Sequence, residues 1–104
     1  MNVDIKGVHL EISDRVRAYI AKKLERLDFA KDLITDLLLI LGKDGSRYQM
    51  EATVNFRWGA STHVEAIGFK IYEDIDALFD KLEPKIGKEK EKVKEHHKKT
   101  PETI

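Results

Sequence analysis

The sequence contains no cysteine. That absence excludes a disulfide scaffold, a thiol nucleophile and every cysteine-based zinc or iron–sulfur site, and it fits a reducing compartment. Proline is scarce, with only Pro84 and Pro101, and no linker, internal repeat or second domain is visible. Long apolar runs are missing: the longest is Leu37–Leu41, against the roughly 18 residues that a membrane span needs. The opening Met1-Asn2-Val3-Asp4 has no basic region leading into an apolar core. No secretory signal is therefore read, and the expected address is the cytoplasm, with no membrane partner. Net charge is also absent, because nineteen Lys and Arg cancel nineteen Asp and Glu. What is present is a chain of 104 residues, 41% hydrophobic and 37% charged, which suits one folded domain with a heavily charged surface.

The apolar residues fall into two periods. Val3 and Ile5 ahead of Gly7 predict a short strand. Ser13 can cap a following helix through its side-chain oxygen, and Val16, Ile20, Leu24 and Leu27 form a buried helical stripe that ends near Phe29 to Asp32. Leu37–Leu41 followed by Gly42-Lys43-Asp44-Gly45-Ser46 predicts a strand and a hairpin turn. Tyr48, Met50, Ala52, Val54 and Phe56 alternate with Gln49, Glu51, Thr53 and Asn55, the pattern of a strand in a sheet covered on one side. Trp58-Gly59-Ala60 is a tight connection, and Thr62 to Gly68 makes a fourth strand. A last helix starts near Tyr72 and reaches the mid-90s, with Ile75, Leu78, Phe79, Leu82 and Ile86 inside. Pro84 predicts a kink or short break in it. The order gives an α/β two-layer sandwich, β-α-β-β-β-α, with a four-stranded sheet and two helices on one face. The domain is expected over residues 1–95, with a flexible C-terminal tail over 96–104.

Catalytic chemistry finds little support. The histidines are His9, His63, His96 and His97, and no fixed, convergent metal-ligand set is evident. His63 beside Glu65 has the composition of a general-base pair, but two polar residues on an open sheet face explain it more simply. Glu73 and Asp74 fall in the first turn of the last helix, where negative charge meets the positive helix end. The serines lack a nucleophile elbow, and the glycines match neither a phosphate loop nor a dinucleotide fingerprint. No catalytic residue, metal or cofactor is read.

Charge distribution has more content than the zero total. Residues 14–31 hold six basic and three acidic side chains, residues 81–99 hold eight lysines and four glutamates, and the remainder holds five basic and twelve acidic residues. Lys81, Lys85, Lys88 and Lys92, at offsets 0, 4, 7 and 11, keep one azimuth on a helix within about 60°. Arg15, Lys22 and Arg26, with Lys23 adjacent, follow the same logic on the first helix. Packed side by side, the two basic rows would frame a groove that positions phosphates and reads little base sequence.

These residues resemble a known family. Val3-Asp4-Ile5-Lys6-Gly7 with Leu10-Glu11-Ile12-Ser13, Arg17-Ala18-Tyr19-Ile20 with Lys22-Lys23-Leu24-Glu25-Arg26-Leu27, Tyr48-Gln49-Met50-Glu51-Ala52-Thr53-Val54, and Ile71-Tyr72-Glu73-Asp74-Ile75-Asp76-Ala77-Leu78 are similar to segments of the ribosome hibernation-promoting and ribosome-associated inhibitor proteins, the ribosomal subunit interface family. The likeness runs from about residue 2 to 95. It implies a fold similar to a double-stranded-RNA-binding domain with an extra first strand. It also implies a non-enzymatic translation inhibitor on the small ribosomal subunit and the 70S ribosome. Such a protein sits in the messenger and transfer RNA channel and holds idle ribosomes inactive in stationary phase or stress. The implied partner surface is 16S rRNA, and the implied state in solution is a monomer of the family's short form, without the C-terminal dimerisation domain of the long one. The candidate rRNA-binding residues are Arg15, Lys22, Lys23, Arg26, Lys81, Lys85, Lys88 and Lys92. Two positions depart from the family pattern: Lys70 replaces an acidic helix cap, and Pro84 replaces a residue that is often arginine. A general double-stranded-RNA module, and a protein-interaction domain using the sheet face around Gln49, Glu51, Thr53 and Asn55, are the alternatives.

Overall fold

The alternation in the middle of the chain builds the sheet. In the computed structural model, which describes the backbone of residues 1–102 and the side chains of residues 1–93, strand β3 (Arg47–Phe56) buries Met50, Ala52, Val54 and Phe56 on one face. Its neighbour β2 (Ile34–Asp44) buries Ile34, Leu37, Leu39 and Leu41 on the same side. The pairing shifts between Ile34 and Asp36, and that irregularity lets two residues spaced by three both point inward. Strand β1 (Asn2–Val8) runs parallel to β2, and β4 (Ser61–Gly68) runs antiparallel to β3, giving the order β1-β2-β3-β4.

The β2–β3 hairpin is tighter than the turn expected over Gly42–Ser46. Strand pairing continues to Asp44 opposite Arg47, leaving only Gly45 and Ser46 in the loop. Gly45 has φ 63°, the left-handed value that the first position of a II′ loop requires and that glycine adopts without steric cost.

Helix α1 (Asp14–Leu24) is capped as expected: the Val16 amide donates to Ser13 Oγ at 3.1 Å. Its α-helical part ends earlier than the sequence suggests. From Glu25 to Leu33 the chain tightens into a 3-10 helix. Leu27 and Ala30 are buried there and Leu33 is half-buried, so the inward positions recur every three residues, which is the period of that helix.

Helix α2 (Ile71–Glu102) packs over β3 and β4 and beside α1, and Ile75, Leu78, Phe79, Leu82 and Ile86 are buried. The break expected at Pro84 is absent. Pro84 is exposed, so the carbonyl one turn earlier, which loses its amide partner, lies on the water side and can be served by solvent. Beyond Ile86 the helix leaves the core, and Lys90 Nζ holds it to the Phe29 carbonyl at 2.8 Å. The side chains of the expected tail over residues 96–104, with His96 and His97, lie outside the described residues.

Lys70 offers no acceptor at the start of α2. One turn in, the Asp74 amide donates to the Lys70 carbonyl at 2.8 Å, and the Asp74 carboxylate is buried with Oδ2 lacking a hydrogen-bond partner among the described residues. Asp74 is buried, and burial pushes its carboxyl above the usual range. Gly68 makes this fit possible, because a Cβ there would collide with the Asp74 carboxylate. Gly68→Ala is therefore expected to cost about 1–3 kcal/mol through overpacking, read by urea unfolding. The deficit should shrink in an Asp74→Ala background, since the colliding group is then gone.

Candidate nucleic-acid interface

The two helices pack side by side, but the seam between them is acidic on one side and basic on the other. Asp76, Asp80 and Glu83 on α2 are spaced at 0, 4 and 7, so they form a row facing α1. Lys23 Nζ lies 2.9 Å from Asp76, and Arg26 reaches Asp80 at 3.0 Å and Glu83 at 2.5 Å, with a second bond from Arg26 Nε to Glu83 at 2.9 Å. Tyr19 donates its hydroxyl to Asp76 at 2.6 Å and packs edge-on against Tyr72, with Lys23 over its ring. The Tyr19 hydrogen bond, followed by Lys23, holds the Asp76 carboxyl below its ordinary value despite partial burial. The same contacts raise Tyr19, first through its bond to Asp76, and raise Lys23 and Arg26 through their carboxylate partners.

The expected groove framed by two basic rows is therefore not formed. On α2 the lysine row stands about 150° around the helix from the acidic row, on the other flank of the buried stripe. Lys81 Nζ donates to the Glu65 carbonyl at 2.7 Å and Lys85 Nζ to the His63 carbonyl at 3.3 Å. Both carbonyls belong to β4, the edge strand, and point away from β3. The lysines thus shield the sheet edge against pairing with another strand, and they border an open groove with His63, Val64 and Glu65. Lys92 bonds Glu89 on its own helix at 3.3 Å. Among the described residues, Arg15, Lys22 and Lys88 make no hydrogen bond or ion pair and are exposed.

The eight candidates thus sort into two electrostatic kinds. Lys23, Arg26 and Lys92 are paired with carboxylates. Lys81 and Lys85 bond only to carbonyls, so each keeps its full charge and further N–H donors for an incoming oxygen. Asp76, Asp80 and Glu83 were missing from the candidate set, although their spacing repeats the pattern that marks the lysines. On the opposite face of the sheet, His63 bonds Thr53 Oγ1 through Nδ1 at 2.9 Å, and its Nε2 stands 3.3 Å from Glu65 and 3.9 Å from Glu51. This exposed cross-strand network satisfies His63 and accounts for the His63–Glu65 pair.

Comparison with known proteins matches residues 3–94 to the family model described as sigma 54 modulation protein / S30EA ribosomal protein. The chain is 30% identical to the ribosome hibernation promoting factor of Escherichia coli strain K12 over 96 residues, covering 92% of this chain and all of that protein. It is 35% identical to the ribosome hibernation promoting factor of Pseudomonas putida, covering 88% of this chain and 89% of that one. Among solved structures, a ribosomal subunit interface protein from Coxiella burnetii superposes with a TM-score of 0.79 at 27% identity, covering 86% of this chain and 98% of that chain. The N-terminal domain of Protein Y from Thermus thermophilus gives 0.73 at 33% identity, covering 83% and 96% respectively.

The seam makes a pH-dependent prediction. A carboxyl held below its ordinary value of 3.8 contributes stability above that pH and loses it as pH falls through the lowered folded-state value. Tyr19→Phe removes the largest cause of the depression. The variant should be less stable than the parent at neutral pH, and the difference should narrow below about pH 3.8, followed by thermal unfolding across pH.

Proposed function

The chain belongs to the sigma 54 modulation protein / S30EA ribosomal protein family, and on that premise we propose that it binds ribosomal particles and modulates translation without catalysing a reaction. The observation that carries this reading is the span of the match: relatives named as ribosome hibernation promoting factors align with nearly the whole chain and are themselves covered almost end to end. The finer reading places the protein on the small subunit, in the channel for messenger and transfer RNA. There it contacts 16S rRNA and stabilises inactive ribosomes in stationary phase or stress. It acts as a monomer through residues 1–95, with 96–104 as a tail.

Electrostatics supports a division of labour among the basic residues. RNA binding is driven by cations that replace condensed counterions at phosphates, so what matters is charge that the protein has not already neutralised. Lys81, Lys85 and Lys88 satisfy that condition and lie along one flank of α2 beside the β4 edge, where a phosphate backbone can follow the row. Arg15 and Lys22 add cations on the outer face of α1. Lys23 and Arg26 instead fix the angle between the helices, and so hold the two surfaces in one relative position.

Co-sedimentation with 30S, 50S and 70S particles across a salt series tests the reading. Binding to 30S and 70S but not to isolated 50S is expected, weakening as salt rises. Lys81→Gln, Lys85→Gln and Lys88→Gln together should flatten the log–log salt slope by about one unit for every phosphate that is no longer neutralised. Replacing Lys23 and Arg26 should lower unfolding stability more than it changes that slope. Absence of binding at low salt by correctly folded protein overturns the proposal. Equal affinity for an isolated RNA duplex assigns the chain instead to a general duplex-binding module.

A further inference from the structure

The open face of the sheet is the largest surface that this reading leaves unused. Pairing register arranges it in rows that cross the strands. One row is Lys6, Ile40, Glu51 and Glu65, and the next is Val8, Gly42, Gln49 and Ile67. Glu51 and Glu65 are direct cross-strand partners, an arrangement of like charges that destabilises a sheet unless something cationic lies between them. His63 Nε2 stands 3.3 Å from Glu65 and 3.9 Å from Glu51, so one ring nitrogen serves two carboxylates. Lys6 is turned toward Asp4, 3.9 Å away.

Beside the two carboxylates is a cleft of about 280 Å³ lined by Val8, Ile40, Gln49, Glu51, Glu65 and Ile67. Gly42 opens it, because the row has no side chain at that point. Ile67 is 61% exposed and Val8 48% exposed, so the cleft offers apolar surface to water next to the two carboxylates. The chemistry that fits is a long cationic side chain. Its aliphatic stem would lie on Ile40 and Ile67, and its charged head would lie on the cleft side of the carboxylates, with the paired hydrogen bonds that a guanidinium makes to such groups. Asp4, Asp36, Asp44, Glu51 and Glu65 outnumber Lys6 and Arg47 on this face, so a phosphate backbone is repelled from it.

We propose that the open sheet face docks a basic polypeptide segment and seats one of its arginine or lysine side chains in the cleft between Glu51, Glu65, Ile40 and Ile67. The ribosome reading bears on this only in saying where such a segment would be met, since ribosomal particles present basic proteins beside RNA. The molecule would then meet RNA on the lysine flank of α2 and protein on the opposite side of the sheet.

The test is a titration of the ¹⁵N-labelled full chain with octa-arginine peptide, followed by amide shifts. The expected shifts gather at Val8, Ile40, Glu51, Glu65 and Ile67. The Glu51→Gln/Glu65→Gln variant, which keeps side-chain shape, should bind about tenfold or more weakly. Lys81→Gln/Lys85→Gln/Lys88→Gln, which removes positive charge, should bind the peptide no more weakly than the parent. Undiminished binding by the double glutamine variant, or shifts centred on Asp76, Asp80 and Glu83, overturns the proposal. The titration contains no ribosome, so its failure beside intact co-sedimentation removes this inference alone. Peptide binding without co-sedimentation removes only the ribosome reading.

Discussion

Burial of one face of a four-stranded sheet is the constraint on which the rest of the structure depends. The inward residues of β2, β3 and β4, among them Leu37, Leu39, Leu41, Met50, Val54 and Val64, are removed from water only because α1, the 3-10 segment and α2 lie over them. At about 25 cal/mol per Å² of apolar area, this burial is the dominant favourable term in folding. It also fixes which surfaces remain available. Both helices must lie on the same side, so the other side of the sheet stays solvated, and the two sides are free to carry different chemistry.

Packing two helices onto one narrow sheet brings charged flanks together. The sequence could have placed basic α1 against the lysine flank of α2, and like-charge repulsion would then have opposed the packing that the core demands. The observed seam sets Lys23 and Arg26 against Asp76, Asp80 and Glu83. Each of these partly exposed pairs contributes modestly in solvent. They agree with the orientation that the buried stripe Ile75, Leu78, Phe79, Leu82 and Ile86 imposes on α2, in which its lysines face the β4 edge. There the lysines cover open carbonyls that would otherwise invite a further strand, while keeping charge for a polyanion. One set of side chains thus serves folding specificity and a binding surface together.

Much of the architecture was legible in the sequence because it rests on period. The alternation from Tyr48 to Phe56, the three-and-four spacing from Ile75 to Ile86 and the Ser13 cap each depend on near neighbours, and the structure reproduces them. The readings that changed were those in which a distant group decides. Pro84 reads as a break when helix hydrogen bonding alone is considered, yet exposure lets water take the freed carbonyl. The expected end of α1 shifted because Leu27, Ala30 and Leu33 follow the period of a tighter helix. Asp74 reads from its position as an exposed first-turn acid, yet its carboxylate is buried in the space that Gly68 leaves.

The sequence by itself determined the element order, the buried face of each element and the azimuth of every charged row, because these follow from geometry about a single helix or strand axis. Only the tertiary structure decided which neighbour each row meets. Azimuth is measured relative to a residue's own element and carries no information about what lies across from it. Lys23, Arg26, Lys81 and Lys85 belong to the same chemical class in the sequence. In the fold, the first two are neutralised by carboxylates from α2, while the last two meet only carbonyls of β4. Glu51 and Glu65, fourteen residues apart, became direct partners through β3–β4 register, which is fixed by the hydrophobic pattern of both strands acting together.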